Sequence, residues 1–469
     1  MKKLLGFFFL MFTVTCLKAQ NCNCGDNFAF LTQRISKNYV GYTDKVTPSN
    51  SKQFAKFTDS LQQIANRSNA YQCLSLCREW LDFFKDKHIS FGIDFSKFPP
   101  DALRIFFSND EKTSWTESKF KSYLIKNKET LDSIEGIWNY GIYEVGIVED
   151  IKPKQFVAFI VKADSVRWMP QQIKFRLKKN GNKYEPIYYS GADHSEQYPK
   201  LSIQRDVLDF GIYGRWTRGP KIKQQSVQVT IKENPPSFTL LDHQTSLVKL
   251  PSFKSKYRTQ IDSLIIRHKA QLDHCEHLMI DIRDNSGGST KSFEKLLPYL
   301  YTNPIKVDGG VVWATEDNIK DCYDIEYPDI SLQSKLNMKK DVKKLREHLG
   351  EHYQLYDEEI IKFSRILKYP SRISILINDG TASSAELFLL RAEQSKKVTL
   401  YGQNTSGAVD YGEIVSINLP CKFYSLNYPA SKSLHSIKRP LDNIGIAPNV
   451  SIPESETDWI EFIIKYKSK

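Results

Sequence analysis

Arg372-Ile-Ser-Ile-Leu-Ile-Asn378, Asp379-Gly-Thr-Ala-Ser-Ser-Ala-Glu386 and Leu387-Phe-Leu-Leu390 follow one another without a break. The first piece is an isoleucine-rich apolar run of strand length. Asp379-Gly380 is turn chemistry, and Thr381, Ser383 and Ser384 followed by Glu386 read as a helix start. A strand that turns sharply into a helix leaves unpaired backbone N–H groups at the helix N-terminus, where negative charge is favoured. A serine held there stands beside donors for an oxyanion, the setting that acyl transfer requires. Hydroxyl residues also cap ordinary helices, so the stretch alone fixes a strand–turn–helix and not a chemistry.

Outward from it, the surroundings alternate strand and helix. Upstream, Pro235-Pro236 marks a boundary, Ser237 onward reads as strand, and Phe253 to Leu272 as an amphipathic helix. Leu278-Met-Ile-Asp-Ile282 is a buried strand that ends at Arg283-Asp-Asn-Ser-Gly-Gly-Ser289, with a helix from about Ser292 to Leu300. Residues 335–366 read as a charged amphipathic helical region. Downstream come a strand at Val398-Thr-Leu-Tyr401, the loop Gly402-Gln-Asn-Thr-Ser-Gly407, and further strands to about Ile452. Such alternation indicates an α/β core. The paired glycines after the buried strand let the backbone approach a ligand and present N–H groups. Without GxGxxG or GK[ST] they are not a nucleotide loop, which leaves Gly287 or Gly288 as a candidate second oxyanion donor.

Before this core the texture differs. Residues 26–90 carry apolar side chains at helical spacing, as in Phe54, Phe57, Leu61 and Ile64. The last of these segments ends in Lys85-Asp-Lys-His88-Ile-Ser-Phe-Gly92, placing His88 at a helix-to-strand junction. From about Leu131, short β-branched and aromatic runs separated by Lys, Gly, Asn and Asp indicate an antiparallel β module without a catalytic constellation. The expected organisation is a signal peptide over 1–20, an N-terminal helical region over 21–130, the β module over 131–235, and the core over 236–469.

The chain has 469 residues, 41% hydrophobic and 12% aromatic, as in an ordinary globular protein of two or three domains. Its formal charge is +12, and loss of Lys2, Lys3 and Lys18 with a leader lowers this by three. The basic residues are spread out and read as a solvated surface, so no nucleic-acid partner is expected. Lys2-Lys3, the apolar Leu4 to Val14 and Leu-Lys-Ala-Gln20 form a secretory signal. Thr15 before Cys16 argues against a lipoprotein, and no later run is long enough to span a bilayer. A secreted or periplasmic protein is therefore expected. In that compartment Cys22, Cys24, Cys73 and Cys77 are expected to form two bridges tying the N-terminus to the helix that carries Cys73 and Cys77.

In this order, several stretches resemble peptidase family S41, the C-terminal processing and tricorn-type serine peptidases. Leu278-Met-Ile-Asp-Ile-Arg-Asp-Asn-Ser-Gly-Gly288 is similar to the family's apolar-Asp-x-Arg-x-Asn-x-Gly-Gly strand end. Ile377 to Glu386 resembles its nucleophile segment, Gly402 to Gly407 its Gly-x-x-Thr-x-Gly loop, and Ile444-Gly-Ile-Ala-Pro-Asn449 its closing Gly-Val-x-Pro-Asp. Asp86-Lys-His88 is similar to the Asp-x-His of the tricorn-type branch. The resemblance covers about 237–455. It implies an α/β (α+β) core of the ClpP/crotonase-like type and a peptide or protein substrate, with no cofactor and no metal.

Carried over by position, the resemblance makes Ser383 the nucleophile, with Ser384 and Gly287 or Gly288 supplying the oxyanion hole. The processing branch places a lysine base directly after Thr-x-Gly; here that position is Ala408, so the Ser–Lys dyad is impossible there. Serine needs a base, and the tricorn-type branch implies His88, with Asp442 orienting it. Glu413 is the alternative orienting acid, and Glu386 is assigned to helix capping. Two other readings follow: a catalytically silent relative that keeps the groove for binding, and a zinc peptidase. The second rests on His348-Leu-Gly-Glu-His352, an His-x-x-Glu-His motif that on a helix would present His348, Glu351 and His352.

Overall fold

A computed structural model describes residues 22–466 except 99, 182, 200, 219–234, 326–330 and 454. The signal segment and Cys16 lie outside the described residues. Helices and sheets are mixed throughout, as the α/β (α+β) reading requires.

The core around the opening stretch is a six-stranded sheet in the order Ser237–Leu240, Thr245–Lys249, His277–Asp281, Arg372–Ile377, Val398–Gly402 and Val450–Ser451. All neighbours run parallel except the first pair. Helices cover both faces: Arg258–Arg267 and Ser384–Ala392 pack one side, and Trp459–Tyr466 packs the other. A parallel strand covered on both faces is near-continuously apolar instead of alternating, which explains Leu278-Met-Ile280 and Ile375-Leu-Ile377; the one polar residue within the second strand, Ser374, is buried against His277. Strands His277–Asp281 and Arg372–Ile377 pair in register, Asp281 opposite Leu376. Their C-terminal ends therefore deliver the glycine turn and the serine turn side by side.

The β module is a nine-stranded antiparallel sheet running from Gly136–Tyr140 to Arg215–Arg218, with Glu117–Lys126 packed on it through Phe120. The N-terminal helices Cys24–Asn38, Ser51–Ala65 and Ala70–Asp82 share one core with a further antiparallel sheet. That sheet joins Ser90–Ile93, just past His88, to Tyr424–Ser433 from the far end of the chain. The segment bearing His88 is thereby carried onto the same body as the C-terminal strands.

Two expectations change. The helix expected through 335–366 spans only Leu332–Glu347; Gly350, at φ +83, opens a turn, and His352–Tyr356 and Glu359–Ile361 are strands. Tyr353-Gln-Leu-Tyr356 alternates exposed and half-buried residues, a strand period that the flanking charge conceals. The cysteines also pair differently. Cys24 joins Cys73 as expected, but Cys22 joins Cys421, 399 residues away, and Cys77 is a buried free thiol.

Candidate active site

The turn between strand Arg372–Ile377 and helix Ser384–Ala392 is stitched to its neighbour before it presents anything. Asp284 N–H donates to Asn378 Oδ1 (2.8 Å), Thr381 Oγ1 donates to the Ile282 carbonyl (3.0 Å), and Ala382 N–H to the Asn285 carbonyl (3.0 Å). Ser383 stands at the helix start with φ +55 and ψ −122. Positive φ on a residue with a side chain costs on the order of 1–3 kcal/mol and persists only where the surroundings impose it. Gly287 is the neighbour that makes room. A Cβ there would lie 2.8 Å from the Ala382 carbonyl oxygen and from Ser384 N, and 2.9 Å from Ser383 Cβ.

The two glycines are not equivalent. Asn285, fully buried and donating to the Leu250 carbonyl (2.8 Å), takes the Gly287 N–H on its Oδ1 at 2.9 Å. The N–H groups of Gly288 and Ser384 have no acceptor among the described residues. Both residues line a groove of about 840 Å³ together with Ser383, Leu387, Ala408 and Val409. One serine and two unengaged N–H groups therefore face the same space.

Glu386 does more than the capping expected of it. Its fully buried carboxylate accepts from Ser383 N–H (3.0 Å), and also from Thr405 Oγ1 (2.6 Å), Gly407 N–H (2.8 Å) and Ala408 N–H (2.8 Å). It clasps the Thr-x-Gly loop to the serine turn. Ala408 lines the groove at the position that the processing branch fills with its lysine base.

The residues expected as base and orienting acid sit around that loop. Lys87 Nζ donates to the Ser406 carbonyl and Oγ, and Asn443 Nδ2 to the Lys85 carbonyl. The segment 85–88 is thus pinned between loops 405–408 and 441–443. His88 is half-buried, and its Nδ1 lies 3.7 Å from Asp86 Oδ1, ion-pair reach but too long for a hydrogen bond. Asp86 Oδ1 also accepts the His88 backbone N–H (2.9 Å), while Tyr39 donates to Oδ2 (2.9 Å). Burial raises the Asp86 carboxyl above the usual carboxylate range, and the negative charge of Asp442 adds to this, while His88 and Tyr39 oppose it. Asp442 is paired with Lys45 Nζ. Among the described residues no hydrogen bond joins His88 to Ser383 or to Asp442. Asp86, two residues before the histidine, is the carboxylate nearest its ring; the Asp-x-His spacing was the available signal for it.

Other polar groups meet the groove. Glu413 is solvent-accessible from the groove, yet enough protein surrounds its carboxyl for burial to raise its pKa, opposed by a hydrogen bond from Tyr356. Asp410 accepts from His435 Nε2 (2.9 Å), and His435 Nδ1 meets Ser433 Oγ at 2.6 Å. Sequence reasoning had no signal for this trio. Arg391 lines the groove eight residues after Ser383, a spacing that places it on the face of Ser383 and Leu387.

The His348 to His352 segment is not on a helix. The helix ends at Glu347, His348 stacks on Tyr353 with centroids 4.2 Å apart, and His352 Nε2 meets the Val40 carbonyl at 3.2 Å. The i, i+4 face that zinc would need is therefore not formed. Among the described residues no helix is long and apolar enough to cross a membrane.

Residues 244–452 match the model of peptidase family S41. A protein of Chlamydia trachomatis serovar D is 22% identical over 222 residues, 41% of this chain and 36% of that one. The match therefore spans little more than a third of that relative's length. Among solved structures, mature CPAF superposes with a TM-score of 0.51 at 13% identity, covering 95% of this chain and 96% of that one. A serine-to-alanine mutant of CPAF gives 0.53 at 12%, with coverage of 95% and 96%. The match to peptidase family S41 thus lies on residues 244–452, somewhat under half of the chain, and the fold of mature CPAF is shared along most of its length.

Proposed function

We propose that the protein is a secreted serine endopeptidase in which Ser383 attacks the peptide carbonyl and His88 takes its proton. The observation that carries this reading is the strained Ser383 at a groove edge, beside the unengaged N–H groups of Ser384 and Gly288. Strain of this kind is kept where it aims a side chain. The two donors suit the oxyanion that forms as the carbonyl becomes tetrahedral, and removing one such donor typically costs about 10²–10³ in kcat. Gly287 serves as the space that lets the two turns meet, its own N–H being occupied.

His88 is assigned as the base because Ala408 has no titratable group and the residue before the histidine, Lys87, is bonded to Ser406 of the same loop. In the resting state its ring rests near Asp86. Catalytic hydrogen bonds are often long before substrate binds and tighten in the complex. Asp86 then orients the ring through Nδ1, and Asp442 acts at one remove by holding Lys45 and adding negative charge around Asp86. Proton transfer from Ser383 Oγ to His88 and on to the leaving amine needs no further group. The Cys22–Cys421 and Cys24–Cys73 bridges suit an oxidising compartment.

The test is hydrolysis of a casein-derived peptide mixture by wild type, Ser383→Ala, His88→Ala and Asp86→Asn, with and without chelator. The expected result is loss of at least about 10³-fold for the first two and about 10-fold or more for the third, all insensitive to chelator. Full activity in Ser383→Ala would refute the nucleophile. Activity retained in His88→Ala would refute the base alone. No hydrolysis by wild type, with peptides still bound, would establish a silent binding protein.

A further inference from the structure

The groove that holds Ser383 carries an uneven set of charges. Lys432 is bound to Asp44 (2.7 Å) and Asp410 to His435. Of the cations that remain at the wall, Arg391 is the one carried by the nucleophile helix itself. It stands two turns beyond Ser383, with Leu387 between them on the same face. Eight residues of helix rise about 12 Å, and helical side chains lean back toward the N-terminus. An extended peptide advances about 3.3 Å per residue. The guanidinium therefore meets a bound chain roughly two to four residues from the bond facing Ser383.

The guanidinium is held but not neutralised. Its carbon lies 5.0 Å from the centre of the Phe293 ring, within cation–π reach. Among the described residues no carboxylate forms a hydrogen bond or ion pair with it. Burial lowers its pKa, and Glu359 and Glu294 offset this only through space. A partly desolvated cation without a partner is unfavourable, and a planar fork of donors suits a carboxylate bidentately. Here the open side is the groove.

We propose that Arg391 is a specificity-determining residue that receives a carboxylate of the bound peptide, two to four residues from the scissile bond. The carboxylate is that of an internal Asp or Glu or of the peptide's C-terminus. The inference rests on the peptidase reading of the groove, and its test is arranged to fail separately.

The probes are fluorescein-labelled nonapeptides of Ala, Ser and Leu in which one Glu, or one Lys, is scanned through every position. Each is made with a free and an amidated C-terminus. Binding is read by fluorescence anisotropy on Ser383→Ala, so that turnover does not interfere, and on the same protein carrying Arg391→Glu or Arg391→Lys. With Arg391 present, Glu at one register, or a free C-terminus there, should strengthen binding at least tenfold over Ala. Arg391→Glu should invert the preference, so that Lys at the same register binds better than Glu. Arg391→Lys should keep the sign with a smaller ratio. An effect that survives amidation assigns the carboxylate to an internal side chain, and one that vanishes assigns it to the C-terminus. Equal Glu-to-Lys ratios in Arg391→Glu and its parent, or no binding of any peptide to the parent, would overturn the proposal. Acid preference that persists where wild type cleaves nothing would sink the peptidase reading and leave Arg391 in place.

Discussion

Replacing Glu386 with glutamine changes one atom and tests whether this residue caps a helix or holds the site together. The carboxylate accepts four hydrogen bonds, two on each oxygen: Thr405 Oγ1 and Gly407 N–H on Oε1, Ser383 N–H and Ala408 N–H on Oε2. An amide nitrogen at the Oε2 position would face two backbone N–H groups. At the Oε1 position it would face the Gly407 N–H and the Thr405 hydroxyl, which can turn to accept. The second orientation is the milder, and it still orphans one buried N–H at about 1–3 kcal/mol while reducing the remaining charge-assisted bonds to neutral ones. Together this amounts to about 3–5 kcal/mol, whereas loss of a simple cap costs about 1 kcal/mol. The loop released at Gly407 carries Ser406, on which Lys87 rests, so His88 shifts with it; a displacement near 1 Å costs about 10²-fold in rate. Urea unfolding and kcat/KM on one peptide measure both effects. A loss near 1 kcal/mol with kcat/KM within twofold of wild type would refute the clasp and return Glu386 to capping. Thr405→Val, which removes one donor to Glu386 and the acceptor of Ile446 N–H, should lie between wild type and Glu386→Gln.

Three further perturbations follow from the same geometry. Gly287→Ala sets a methyl group 2.8–2.9 Å from the serine turn at φ +94 and should lower kcat about 10²-fold; a variant with wild-type kcat would show that the turns do not need this closeness. His277 is buried against Ser374 Oγ (2.8 Å), and burial, reinforced by Arg372, lowers its pKa to about 3. Because the folded value lies below the unfolded one, near 6.5, its contribution is complete above about pH 6.5. It is lost as pH falls toward 3, at up to about 1.4 kcal/mol per unit. His277→Gln should flatten the decline of urea stability between pH 6.5 and 4, and an unchanged slope would refute the assignment. Cys421→Ser opens the bridge to Cys22 and should cost about 2–5 kcal/mol by calorimetry, with the mutant less sensitive to reductant than wild type.

What could be read from the residues alone depended on whether the cause was local. The strand–turn–helix around Ser383 was legible because burial on both faces makes a parallel strand near-continuously apolar, and Asp-Gly marks the turn that ends it. The glycine pair was legible as a close approach, but not which N–H stays unengaged, because that rests on Asn285 turning its side chain to Gly287. The helix expected to run on past Glu347 failed where a short exposed strand imitates charged helical spacing. Cys22 found Cys421 instead of a neighbour because the fold returns strand Tyr424–Ser433 to the N-terminal helices, a pairing that no spacing encodes. Arg391 was not legible, because its place depends on which helix face is core: Ala385, Phe388, Leu389 and Ala392 are buried, and the other face meets the groove.

The serine and the histidine belong to different bodies of the molecule. Ser383 rides on the parallel sheet, while the segment 85–88 leads into strand Ser90–Ile93 of the sheet shared with the N-terminal helices. Their relative position is therefore set at a seam, crossed near the site by Lys87 on Ser406, Asn443 on Lys85, and Lys45 on Asp442. Glu386 holds the sheet side of that seam, and the Cys22–Cys421 bridge fastens the helical body to the turn before strand Tyr424–Ser433. If His88 is the base, the 3.7 Å gap to Asp86 and the distance to Ser383 must both shorten when a peptide binds across the seam. A peptide in the groove touches both bodies at once, so the energy of binding it is available to set the catalytic distance.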